Sequence, residues 1–165
     1  MGMTAVLLRL PRQTLEELVR EPNRLEDIMT ADDPHLEERV AGTLDLDKAW
    51  HGVHFLLTGT AWEGRWPLAF LVEGGTEIGE DETARAFSPE ETRQIAGAVR
   101  DVTRTTLEQR FEPAAMTELD IYPPIWDRAE EETESRDWLL DTFASMQELL
   151  AAATRADEGL LLVIG

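Results

Sequence analysis

Asp47, His51, His54 and Thr58 follow one another at spacings of four, three and four, which lays them along one flank of an α-helix. Two chemistries are open to such a flank. Neutral imidazoles at i and i+3 can share a metal ion, and a histidine near a carboxylate and a hydroxyl can act as a general base. Neither constellation is complete. No third strong ligand and no His-Glu-x-x-His pattern accompanies the pair; Ser88 and Ser145 read as helix residues, and Thr58 has no visible activator. No metal and no cofactor is expected, and His54 is expected to play a structural role, its ring hydrogen-bonded to neighbouring groups.

The element that must position these side chains is read between Leu44 and Thr60. Leu46, Trp50, Val53 and Leu57 make one apolar stripe at 3.6 residues per turn. Asp45 suits the N-cap and Gly59 a left-handed stop. Ala49, Phe55 and Leu56 make the helix apolar on its other faces too, the pattern of a buried central helix.

These residues carry a resemblance. Met1-Gly2-Met3, Leu44-Asp45-Leu46-Asp47-Lys48-x-Trp50, His54-Phe55, Leu57-Thr58-Gly59-Thr60 and Ile121-Tyr122-Pro123, with a C-terminal helix and strand, resemble the YfbM-like family of small bacterial proteins. The similarity spans nearly the whole chain. At Asp81-Glu82-Thr83-Ala84-Arg85 only Ala84 and Arg85 match the Tyr-Gly-Pro-Ala-Arg frequent in the family. The family is a domain of unknown function, so the resemblance implies a fold and a bacterial source but no chemistry.

At 165 residues and 42% hydrophobic content, residues 1–165 are expected to form one domain around a single core. The absence of cysteine excludes disulfides, thiolate metal sites and cysteine nucleophiles. No secretory leader and no apolar run near 18 residues is seen, so a cytoplasmic protein without membrane association is expected. The net charge is −19, with no basic stripe to neutralise phosphates, which argues against nucleic acid. Arginine outnumbers lysine fourteen to one, so the acidity has two readings: a solvated, compositionally biased surface, or a face for a basic protein.

The fold expected is α+β: a small sheet including Thr4–Leu10, Thr83–Phe87 and Leu160–Ile164, with the remaining mass helical. Both terminal strands are apolar throughout and should lie centrally, side by side. Thr14-Leu15-Glu16-Glu17 has capping-box spacing, and a helix is expected over Arg24–Met29, with further helical turns at Leu36–Val40. His35 is read as a solvated surface residue. Pro67–Val72 reads as a short helix ended by Gly74-Gly75. Ser88-Pro89-Glu90-Glu91 opens a helix to about Val102 with Ile95, Ala98 and Val102 inward, and Thr105–Phe111 and Pro113–Thr117 follow as shorter helices. Ile121–Arg128 is a proline-stiffened connector. The last helix carries Leu139, Phe143, Met146, Leu150 and Ala153 on one face, after an acidic, exposed Ala129–Arg136.

Three function classes follow. The first is a non-enzymatic protein-interaction module of immunity or regulatory type. Its partner would be a basic protein, met by an acidic patch at Glu77, Glu80, Asp81 and Glu82 or at Glu130–Glu134. The second is a small-ligand pocket of Trp50, His54, Thr58, Tyr122 and Trp126, with Arg85 anchoring a carboxylate. The third and weakest is a hydrolase using His54 as base.

Overall fold

In the computed structural model, residues 2–30, 40–80 and 83–165 are described. The readings at His35, Leu36–Arg39, Asp81 and Glu82 lie outside them. Strand β1 (Ala5–Leu10) pairs antiparallel with β5 (Gly159–Ile164), Ala5 opposite Ile164 and Leu10 opposite Gly159. With β2 (Gly42–Asp47), β3 (Thr76–Glu77) and β4 (Ala84–Phe87) they form one antiparallel sheet in the order β2-β1-β5-β4-β3. The terminal strands are thus adjacent, with β5 at the centre.

Their unbroken apolarity has a direct cause. Successive side chains alternate between faces, and both faces are covered. Leu7, Leu160 and Leu162 join the larger core, while Leu8, Leu10 and Leu161 join a smaller one on the other side. The smaller layer is closed by α1 (Arg12–Arg20) and α2 (Arg24–Met29), through Leu15, Leu18 and Ile28. The larger holds α3 (Trp50–Thr58), α4 (Pro89–Arg100), α5 (Arg104–Arg110), α6 (Pro113–Glu118) and α7 (Glu132–Arg155). The Trp66–Pro67 and Tyr122–Pro123 peptides are cis.

Local signals explain some boundaries and correct others. The box at Ser88 forms in full: Ser88 Oγ accepts from the Glu91 N–H at 3.1 Å, and Glu91 accepts from the Ser88 N–H at 3.0 Å. The box expected at Thr14 does not form, because α1 already begins at Arg12 and Thr14 is buried within it. On α4, Val99 rather than Ala98 joins Ile95 in the core. Residues 67–72 form consecutive turns, not a helix, with mixed i+3 and i+4 bonds such as Phe70 N–H to Pro67 and Glu73 N–H to Ala69.

The start of the central helix is also corrected. Asp45 and Leu46 belong to β2, and the helix begins at Trp50. The alternation Leu44-Asp45-Leu46-Asp47 is a half-buried strand of period two, with Leu46 buried and both aspartates exposed. Asp45 still accepts a backbone N–H, but that of Asp47 at 2.7 Å, closing a turn in which Asp47 has φ 49°. Gly59 ends the helix as expected, at φ 76° with its N–H on the Phe55 carbonyl at 2.7 Å.

Candidate functional site

Every residue of α3 from Trp50 to Leu57 is buried. Its two imidazoles meet different fates. The Tyr122 backbone N–H donates to His51 Nδ1 at 2.8 Å, which leaves the proton on Nε2, and Nε2–H donates to the Ala61 carbonyl at 2.7 Å. His51 thus ties two distant loops to the helix. His54 Nε2 lies 3.2 Å from Thr58 Oγ1, one turn along the same helix, and its buried Nδ1 makes no hydrogen bond of good geometry, the Glu63 backbone being at most a weak partner of the ring. Burial pushes both rings below their ordinary value. For His51 the Ala61 carbonyl opposes the shift. For His54 the nearby His51 adds to it, the Glu63 backbone opposes it, and the value falls to about 4. Both are neutral at pH 7.

A base needs an orienting partner on its other nitrogen, and no side chain among the described residues hydrogen-bonds Nδ1 of His54. The Thr58 hydroxyl is also 3.0 Å from the His54 carbonyl and accepts the Thr60 N–H at 3.2 Å. His54 and Thr58 are therefore bonded to each other and to the backbone of their own helix end. Asp47, outside the helix and exposed, takes no part in it. Among the described residues no group of three or more His, Asp or Glu side chains could hold a metal ion, and no helix is long and apolar enough to cross a membrane.

Aromatics surround this helix. Trp62 packs on His51 with ring centroids 4.2 Å apart and is 58% exposed, the most exposed large apolar side chain among the described residues. Trp50 and Tyr122 lie 6.5 Å apart. Both clamp the segment before β1: Trp50 Nε1–H donates to the Met3 carbonyl, and the Met3 N–H donates to the Tyr122 hydroxyl at 2.9 Å. Trp126 is buried against Phe111 and donates to the Ile121 carbonyl at 2.7 Å.

The six residues read as a pocket do not share one wall. Tyr122 and Trp126 line a depression of about 290 Å³ with Thr117, Asp120 and Asp127. Trp50, His54 and Thr58 lie in or beside the buried helix, outside that lining. Arg85 sits on β4, where it donates to the Leu71 carbonyl at 2.7 Å and the Gly74 carbonyl at 2.9 Å and stacks over Phe87. Burial lowers its pKa against the pull of Glu77 and Glu73. Glu77 and Glu80 are exposed.

Asp120 and Asp127 were not singled out by sequence reasoning; Asp120 is one of three aspartates, with Asp47 and Asp157, in a left-handed position among the described residues. Helix α6 ends in a Schellman motif: Ile121 N–H bonds the Met116 carbonyl at 2.9 Å and Asp120 N–H the Thr117 carbonyl at 3.2 Å, with Met116 and Ile121 both buried. Asp120 is the left-handed residue, at φ 55°. Glycine is the usual occupant there, and a carboxylate is unfavourable at a helix C-terminus. Asp157 holds the same position after α7, at φ 53°, but it is bonded to Arg93 at 2.5 Å. Asp120 makes no side-chain hydrogen bond or ion pair among the described residues, and neither does Asp127. An aspartate where glycine is expected was the available signal.

Residues 1–163 match the family described as a domain of unknown function, DUF1877. The crystal structure of YfbM, a protein of unknown function from Escherichia coli, superposes with a TM-score of 0.76. It is 20% identical and the match covers 98% of this chain and 99% of that one, a likeness of fold. No curated protein matches the chain significantly. The chain belongs to the DUF1877 family, with a YfbM-like α+β fold.

Proposed function

We propose that the protein is a non-enzymatic interaction module that receives a basic side chain of a partner protein in the depression between α6 and the proline-stiffened connector. One observation carries this reading: Asp120, unpaired in a left-handed position that favours glycine, on the rim of a cavity walled by Tyr122 and Trp126. Local strain and an unfavourable helix end are costs that a functional group can justify. Asp127 supplies a second carboxylate, and a guanidinium between carboxylates and an aromatic face gains both ion pairing and cation–π attraction. The walls are already fixed, Tyr122 by bonds through its N–H and hydroxyl and Trp126 through its indole N–H. Little side-chain freedom is then lost on binding. Residues 112–134 carry eight carboxylates against the single cation Arg128, so the surroundings favour a basic partner.

The small-ligand reading loses support because Trp50 and His54 are packed inside the core. The hydrolase reading lacks an orienting group for His54. The test is affinity capture from native lysate at low and moderate salt, using the wild-type chain and an Asp120→Asn/Asp127→Asn variant. A basic protein held by the wild type and lost by the variant supports the reading. Equal retention by both would remove the depression from it.

A further inference from the structure

A second surface has the opposite character. Helices α4 and α7 pack antiparallel: Arg93 bonds Asp157 at one end, and Gln147 donates to the Val99 and Val102 carbonyls at the other. Between them runs an open groove of about 550 Å³. Its charged lining residues are Arg93, Arg100 and Arg155 against Glu148 alone, in a chain where acids outnumber bases 34 to 15. Arg93 is engaged by Asp157. Arg155 has no ion pair among the described residues, and Arg100 has only its exposed sequence neighbour Asp101 at 3.8 Å. Each of these two ends its helix, where a cation complements the dipole. Dipole compensation does not explain the open floor between them.

That floor is shallow-sided. Ala144 and Ala151 on α7 are exposed, Ala96 on α4 is half-buried, and a Cβ built at Gly97 would meet nothing within 4 Å. Short side chains on both walls let a third helix approach at the usual 8–10 Å axial spacing. The antiparallel packing puts Arg155 beside Arg93 and Arg100 at the far end. Since Arg93 and Arg100 are seven residues apart, the cations mark the ends of a span of about 10 Å, two helical turns.

We propose that this groove docks an acidic amphipathic helix of a partner protein, its apolar stripe on the alanine–glycine floor and carboxylates two turns apart reaching Arg100 and Arg155. A basic helix would meet the arginine rim. A second copy docked through the same face would set that rim against an identical one. The surface shares no residue with the depression at Tyr122, so it stands or falls independently.

The probe is a fluorescein-labelled helical peptide of about 18 residues, built on alanine and leucine, with glutamates seven residues apart beside the apolar stripe. A control peptide carries lysines there. The glutamate peptide should bind the full chain saturably and the lysine peptide at least about tenfold more weakly. Gly97→Leu, which fills the groove at an exposed helical position, and Arg100→Glu/Arg155→Glu should each cost at least about tenfold in affinity with the melting temperature retained. Equal binding of both peptides, no binding of the glutamate peptide, or indifference to both variants would overturn the proposal. So would a dimer in sedimentation equilibrium that Gly97→Leu dissolves, since that would give the groove to a second copy.

Discussion

His51 and His54, three residues apart on one buried helix, differ in what their loss would leave behind. His51 satisfies the Tyr122 N–H and the Ala61 carbonyl, two backbone groups from separate loops. His51→Leu strands both, and chemical denaturation should show a loss of about 2–4 kcal/mol. His54 serves one hydroxyl on its own helix and carries a buried nitrogen with no hydrogen bond of good geometry, so His54→Leu should cost about 1 kcal/mol or less. A larger loss for His54 would reverse the assignment. The same residues set a pH dependence. Unfolded, each titrates near 6.5; folded, both lie lower, His54 at about 4. Within that interval the unfolded chain binds more protons, so their contribution is full above about pH 6.5 and is lost as pH falls toward about 4. Denaturation midpoints across that range should fall for the wild type and fall less steeply for His54→Leu. Parallel curves would show that His54 is not the titrating group.

Elements with one strong local signal were legible in the chain. Leu160–Ile164 is apolar at every position because both faces are covered, and Ser88-Pro89-Glu90-Glu91 contains all the donors and acceptors its cap uses. Elements with two competing signals were not. Leu46 and Trp50 fit a helical period, yet Leu44–Asp47 also alternates, and pairing with β1 decided for the strand. The two-residue β3 has no periodicity to read and exists through its bridges to β4. In the site, Tyr122 and Trp126 were legible as aromatics in a stiff connector. The separation of Arg85 from Trp50 is set by long-range topology, which no local spacing encodes. Because β5 pairs with β1 and β4 at once, deleting Leu160–Gly165 should abolish cooperative thermal unfolding; a truncated chain with an unchanged transition would show β5 to be peripheral.

At the scale of the molecule, a charge of −19 makes any cation a weak ligand of the surface. A specific receptor must therefore be separated from the general field. Asp120 offers that separation, since its charge and its backbone strain act in opposite directions. Asp120→Gly removes a carboxylate and relieves the left-handed conformation at φ 55°. The measurement is the thermal stability of this variant together with its affinity for an arginine-rich peptide, beside Glu26→Gln on α2, which removes one exposed carboxylate elsewhere. The account predicts that Asp120→Gly is more stable than wild type by about 0.5–1 kcal/mol and binds the peptide about fivefold or more weakly, while Glu26→Gln changes affinity less than about twofold. Equal, small losses of affinity in the two variants would contradict the claim that the depression beside Tyr122 and Trp126 is a receptor for a basic side chain.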